Sequence, residues 1–183
     1  MNNSLDVVNI VGSGELDVET DLSVLAEDLR PEIVYIKGPG LYFKFEEESP
    51  TVVVARTGKY IITGATSKEE LQKTRSKVLS LLENMYVTNA QEDLYFSIKN
   101  IVFTLEFKND IDLSALAIHA GLENVEYEPE QFPGLIFRPP SIDSVALIFA
   151  TGKIVVTGVA NGSFAADTIE SVITLLEGVE NIR

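Results

Sequence analysis

The chain has 183 residues, 45% of them hydrophobic and 23% charged, which is enough apolar material for one or two packed cores. Its 14 Lys and Arg against 28 Asp and Glu leave a net charge of −14, which argues against nonspecific nucleic-acid binding over the whole surface but leaves room for one local basic face. The absence of cysteine excludes disulfides and thiolate metal sites, and neither a membrane-length apolar run nor a signal peptide is expected, since Met1-Asn2-Asn3 leads into Leu5-Asp6 rather than a basic then apolar segment.

In chain order, Val7–Leu16 reads as a strand, with Asn9, Val11 and Ser13 on one face and Val8 and Ile10 on the other. Asp21 caps a short helix carrying Leu22, Leu25, Ala26 and Leu29 on one side, and Pro31 closes that region. Three strands follow, near Leu41–Glu46, Thr51–Arg56 and Lys59–Thr63, with turns at Glu48-Ser49-Pro50 and Thr57-Gly58. Ser67, with Glu70 three residues on, forms a capping box for a longer helix to about Met85, with Leu71, Val78, Leu81 and Leu82 as its core stripe.

The pattern then repeats. A strand over Tyr95–Glu106 and an Asp112-capped helix precede strands near Leu135–Arg138, Val145–Ala150 and Ile154–Thr157. The final helix runs from about Phe164 to Glu177, with Ser163 or Asn161 as its cap and Gly178 as its stop. Residues answer one another at a constant offset: Pro39-Gly40-Leu41 and Pro133-Gly134-Leu135, Phe43-Lys44 and Phe137-Arg138, Thr57-Gly58-Lys59 and Thr151-Gly152-Lys153, Thr63-Gly64 and Thr157-Gly158. Asn9-Ile10-Val11 answers Asn100-Ile101-Val102 at a slightly shorter spacing. Two copies of one α+β unit, over 1–91 and 92–183, thus fill the chain, each a strand, a helix, three strands and a helix in an antiparallel sheet. With no Pro-, Gly- or Ser-rich linker between them, the two sheets are expected to join.

Several strands are apolar on both faces: Thr51-Val52-Val53-Val54-Ala55, Val145-Ala146-Leu147-Ile148-Phe149 and Ile154-Val155-Val156. Four short helices can cover only one side of a sheet, so the other becomes a wide apolar patch. Either it binds something, or a second sheet or a dimer partner covers it.

The repeat and its motifs resemble the TATA-box-binding protein (TBP) family, especially its archaeal members, over about Val7–Leu176. The second copy carries the specific strings, Glu-Pro-Glu-Gln-Phe-Pro-Gly-Leu-Ile-Phe-Arg and Leu-Ile-Phe-Ala-Thr-Gly-Lys-Ile-Val-Val-Thr-Gly; the first copy is divergent. The resemblance implies a saddle, one curved antiparallel sheet whose concave side grips the minor groove of TATA-like DNA, with the helices on the convex side. It implies that Asn9 and Asn100 donate to base acceptors, flanked by Thr63 and Thr157. Val11, Val102, Val53, Leu147, Ile61 and Val155 supply an apolar floor, and Lys44, Arg138, Lys59 and Lys153 reach phosphates. Singly, each aliphatic is an ordinary core residue and each threonine a strand former; as two matched sets they are more. An apolar floor tolerates A·T edges and penalises burying an unpaired guanine amine.

The family inserts phenylalanine wedges, two per copy, that unstack base steps and kink the duplex, a behaviour for which it is itself a reference case. The second copy keeps Phe132 and Phe149, whereas Ala55 stands at one first-copy position. The first-copy loop, Tyr35–Gly40, is shorter than Tyr127–Gly134 and has no Phe beside its Pro-Gly. Sharp, symmetric bending is therefore not expected.

By the same resemblance, Glu128, Glu130 and Gln131 match the loop that binds a transcription factor B-type protein, which links the chain indirectly to RNA polymerase; as sequence alone they read as solvated loop residues. Lys68, Lys73, Arg75 and Lys77 make the first-copy helix basic, facing DNA flanks, an acidic partner or water. A homodimer through the concave face is one expectation for the DNA-free state. Enzymatic readings fare poorly: His119 sits on a short apolar helix as a packing residue, and there is no phosphate loop, nucleophile elbow or metal cluster, so no catalytic residue, metal or cofactor is expected. Two functions stand: a cytoplasmic, DNA-associated archaeal initiation factor, or a TBP-fold interaction protein that has lost autonomous DNA bending.

Overall fold

A computed structural model describes residues 5–16, 19–29, 34–84, 95–121, 123–160 and 162–180. They fall into two compact units, Asn9–Lys99 and Asn100–Arg183, the second taking in the first residues of the chain, so that the strand Asp6–Glu15 lies mostly in the first and the strand Tyr95–Glu106 mostly in the second.

The first unit is built from β1 (Asp6–Glu15), α1 (Leu22–Asp28), β2 (Val34–Lys37), β3 (Gly40–Phe43), β4 (Thr51–Ala55), β5 (Lys59–Ala65) and α2 (Lys68–Asn84), with strand order β2-β3-β4-β5-β1. The neighbours β2–β3, β3–β4, β4–β5 and β5–β1 pair antiparallel. Asp21 caps α1 by accepting from the backbone N–H groups of Ser23 and Val24 at 2.9 and 3.4 Å. Ser67 caps α2 through Glu70 N at 3.1 Å, and the Glu70 carboxylate reaches back past it to Thr66 N at 2.8 Å, so the expected capping box closes one residue earlier. Leu71, Thr74, Val78 and Leu82 form the buried stripe of α2, while Leu81 is only half-buried.

The second unit repeats this with β6 (Tyr95–Glu106), α3 (Leu113–Ala120), β7 (Val125–Glu126), β8 (Gly134–Phe137), β9 (Val145–Phe149), β10 (Lys153–Val159) and α4 (Gly162–Glu180), in the order β6-β10-β9-β8-β7. Asp112 caps α3 through Ala115 N at 3.0 Å. A buried hydroxyl pair, Ser144 Oγ and Thr168 Oγ1 at 2.5 Å, ties the start of β9 to α4.

Each repeat contains one strand more than its periodicity suggested. β2 and β7 are too short for alternation to declare itself, and their hydrogen bonds come from β3 and β8. Tyr35–Gly40 is consequently not a loop: Val34–Lys37 is strand, and only Gly38 and Pro39 turn the chain, with Lys37 paired to Gly40 and Gly38 at φ 58°. Gly178 does not stop the last helix, which continues to Glu180. A β-carbon at Gly178 would lie 2.2 Å from His119 Nε2, so the glycine makes room for the α3–α4 contact, and His119 is a packing residue. Ser163 lies inside α4 rather than at its cap, and Asn161 is outside the described residues, as are Pro31 and Met85.

Alternation decides which face is covered. In β4 and β5, Val52, Val54, Tyr60 and Ile62 are fully buried with Leu71, Val78 and Leu82 of α2, whereas Val53, Ala55, Ile61 and Thr63 are half-buried or exposed. In β9 and β10, Ala146, Ile148, Ile154 and Val156 go under Ala165, Val172 and Leu176 of α4, leaving Val145, Leu147, Phe149, Val155 and Thr157 half-buried. Each unit thus has a helix-covered face and a helix-free one. Fully burying one such aliphatic contributes about 1.5–3 kcal/mol, which is what commits each strand to its register.

Candidate nucleic-acid interface

Strand register assembles the helix-free faces from residues far apart in sequence. In the first unit Tyr42, Val53, Ile61 and Ser13 lie side by side across β3, β4, β5 and β1. In the second, Ile136, Leu147, Val155 and Thr104 form the same row across β8, β9, β10 and β6. The next row pairs Gly40 with Ala55 and Gly134 with Phe149. On the other side, Thr51 pairs with Thr63 and Val145 with Thr157. Val53, Ala55, Ile61 and Thr63 therefore lie on the helix-free face of the first unit, and Leu147, Phe149, Val155 and Thr157 on that of the second. Strands apolar on both sides do not reveal that grouping by alternation; the family resemblance supplied it. Tyr42, Ile136, Thr51, Thr104 and Gly134 also belong to these faces. Sequence reading passes over them, although each lies opposite or beside a residue that it singles out, and that register is the signal.

Asn9 and Asn100 are held by one device in both units. Where β5 passes β1 the register shifts between Ile10 and Gly12, and where β10 passes β6 it shifts between Val156 and Val159. The extra residue in each bulge brings a glycine to positive φ, Gly64 at 95° and Gly158 at 84°. The bulge frees one backbone N–H, which donates to the asparagine Oδ1: Gly64 N to Asn9 at 2.7 Å and Gly158 N to Asn100 at 3.0 Å. A backbone N–H can only donate, so these bonds identify the carbonyl oxygen and leave the amide NH2 as the side chain's donor group. Asn100 Nδ2 also donates to Thr157 Oγ1 at 3.2 Å, and Thr63 Oγ1 lies 3.4 Å from Asn9 Oδ1. Val11 and Val102, half-buried, flank the two sites. Each face thus offers a positioned donor set among aliphatic side chains.

Phe132 and Phe149 stand together edge to face, with ring centroids 5.8 Å apart at 61°. Phe132 is positioned by a tight turn in which Gln131 N and Phe132 N both donate to the Glu128 carbonyl, at 2.9 and 3.0 Å. The Gln131 amide further donates to the Glu128 carboxylate. Glu128, Glu130 and Gln131 are all exposed at that turn. Nothing equivalent to Phe132 can stand in the first unit, because the two-residue Gly38-Pro39 turn has no loop to carry it.

The four cations expected at phosphates are at the margins of these faces, but at least three already have partners. Lys44 Nζ donates to the Glu47 carbonyl at 2.9 Å, Arg138 pairs with Glu126 at 3.2 Å, and Lys59 lies 4.0 Å from Glu15. Lys153 sits opposite Glu106 in register. Exposed pairs of this kind are weak and can exchange for phosphate. Two of the α2 cations turn to the protein instead: Arg75 lies 4.6 Å over the Phe96 ring, and Lys77 bonds Glu46 at 2.8 Å. That hydrogen bond and the ammonium charge hold the Glu46 carboxyl below its ordinary value. Among the described residues, no group of His, Asp and Glu is arranged to hold a metal.

The family model described as transcription factor TFIID, or TATA-binding protein, matches residues 4–85 and 95–179. The chain belongs to the TATA-box-binding protein family. Among its relatives, TATA-box-binding protein C of Halobacterium salinarum is 44% identical over 170 residues, covering 91% of this chain and 94% of that protein. The TATA-box-binding protein of Haloarcula marismortui is 35% identical, covering 98% of this chain and 95% of its own length. The solved structure of Methanococcus jannaschii TBP superposes with a TM-score of 0.79 at 29% identity, over 97% of this chain and 99% of that one. The α+β repeat fold is thus the TBP fold. Membership in a transcription-factor family also removes the enzymatic reading, and the relatives are archaeal. Among the described residues, no helix is long and apolar enough to cross a membrane.

Proposed function

We propose that this chain is a general transcription initiation factor of archaeal type that binds the minor groove of A·T-rich, TATA-like DNA. The helix-free faces take the base edges. The observation that carries this reading is the asparagine, bulge and threonine arrangement, present once in each unit beside a row of aliphatics. Its amide donors match the A N3 and T O2 acceptors common to A·T and T·A pairs, and the aliphatics leave a guanine amine without a partner. Lys44, Lys59, Arg138 and Lys153 take phosphates, which set register without reading sequence. The exposed Glu128, Glu130 and Gln131 turn is the docking point for a transcription factor B-type protein, through which RNA polymerase is engaged. The protein then works DNA-associated in the cytoplasm, and without DNA it hides its apolar faces in a homodimer.

A gel-shift titration with TATA-containing and G·C-substituted duplexes, with and without factor B at several salt concentrations, tests this reading. TATA-selective binding strengthened by factor B, with Glu128→Arg removing the strengthening and leaving the binding of DNA alone unchanged, is the expected result. Equal binding to both duplexes would remove the minor-groove role. One observation favours a second reading, an interaction protein without autonomous bending: Ala55 and the Gly38-Pro39 turn leave the first unit without either phenylalanine. Factor B binding without any DNA bend would select it.

A further inference from the structure

We infer that Tyr42 is the aromatic residue the first unit presses against a base step, in place of the phenylalanine pair of the second; the inference rests on the minor-groove reading above. In the second unit the pair roofs Gly134, where a β-carbon would lie 2.9 Å from Phe132 Cε1 and 3.1 Å from Phe149 Cε1. The corresponding residue in the first unit is Gly40, opposite Ala55 as Gly134 is opposite Phe149. A β-carbon there would meet Val53 Cγ1 at 3.2 Å and Tyr42 Cε2 at 3.4 Å. An aromatic edge therefore covers this glycine in both units, although it comes from different elements: the loop and β9 in one, and in the other β3 itself, where Tyr42 shares the cover with Val53 of β4.

Tyr42 lies opposite Val53 as Ile136 lies opposite Leu147, so the unit with alanine in place of Phe149 has tyrosine in place of isoleucine. The half-buried ring leans back along β3 over Gly40, toward the space that the small Ala55 side chain leaves. An aromatic ring at the edge of a minor-groove surface can stack on or wedge into an unstacked step. The phenol adds a group that phenylalanine lacks, an O–H able to donate to A N3 or T O2. A single tyrosine would thus grip one end of the site with less apolar area but more A·T selectivity than the pair at the other end.

The test uses the full chain and a TATA-like duplex carrying 2-aminopurine at one end step or the other, reading affinity by titration and unstacking by fluorescence. The variants are Tyr42→Ile, which installs the second unit's own residue and so preserves the strand, together with Tyr42→Phe, Phe149→Ala, and Tyr42→Ile combined with Ala55→Phe. Tyr42→Ile should melt like the wild type yet bind about tenfold or more weakly, the scale of one lost base–aromatic stack. It should lose the fluorescence rise at one end only, and Ala55→Phe should restore it. Tyr42→Phe should keep that rise but discriminate less between A·T and G·C at the step. Binding by Tyr42→Ile within about twofold of wild type, alongside a loss in Phe149→Ala, would overturn the inference and leave the minor-groove reading standing. If the wild type itself fails to prefer the TATA duplex, both fall.

Discussion

In both asparagines Oδ1 is committed to the protein, while the amide nitrogen, with two N–H groups, keeps at least one donor to spare. Oδ1 of Asn9 and Asn100 accepts from a bulge N–H, and the amide nitrogen is the group available to a base. Asn100→Asp separates the roles, because a carboxylate still accepts from Gly158 N but donates nothing and repels base acceptors. It should leave the melting temperature nearly unchanged while weakening TATA binding by about tenfold or more, the scale of leaving a buried base acceptor unsatisfied. A fall in stability comparable to the binding loss would mean the side chain is only a strut. The aromatic residues make a second residue-scale case. Phe132→Ala and Phe149→Ala should each abolish measurable TATA binding, whereas Ala55→Phe should strengthen it or increase the bend seen by fluorescence transfer between duplex ends. Unchanged affinity in both second-unit mutants would sink the wedge assignment. Glu46 titrates on the protein's own account: Lys77 depresses its pKa, so the pair stabilises above the ordinary carboxylate range and that contribution fades as pH falls through the depressed value. The gap in melting temperature between wild type and Glu46→Gln should accordingly close in acid.

At the scale of elements, the bulges of β5 and β10 matter more than the strands around them. Each converts a ladder N–H into an anchor for an asparagine, and each depends on a glycine that can hold positive φ. Gly158→Ala would place a β-carbon 3.3 Å from Ser144 Cα in a backbone conformation that costs an L-residue about 1–2 kcal/mol. The melting temperature should fall by a few degrees, and TATA affinity should fall with it even at temperatures where the variant is fully folded. A variant that binds normally once folded would show that the bulge is dispensable for the site. The β2–β3 connection acts in the opposite sense. Its two-residue turn closes the first unit's edge tightly and leaves no loop, so inserting residues there without an aromatic should not raise DNA affinity.

For the molecule as a whole, charge and site pull in different directions. A net charge of −14 repels DNA at long range, and Lys44, Lys59 and Arg138 begin with intramolecular partners that phosphate must displace. Few counterions are then released on binding, and each neutralised phosphate adds only roughly −0.9 to the log–log salt slope. Added salt also screens the overall repulsion. TATA binding should be weak at low salt and should persist or improve as salt rises, as read from titrations over a salt series. A steep salt-induced loss, like that of a basic DNA-binding protein, would count against the proposed interface.

The amino-acid sequence by itself determined the repeat, the class of fold, the helix caps at Asp21, Ser67 and Asp112, and the two-sided apolarity of the central strands. All of these rest on local chemistry or on periodicity that survives in one dimension. Only the tertiary structure decided that Tyr35–Gly40 is a strand and a tight turn, because β2 owes its existence to hydrogen bonds from β3 rather than to its own pattern. It also decided that Gly178 is a contact and not a terminus, since the reason for that glycine is His119 on another helix. Likewise Tyr42 and Gly134 joined the face through register: which residue lies opposite which is a property of paired strands, and no single strand contains it.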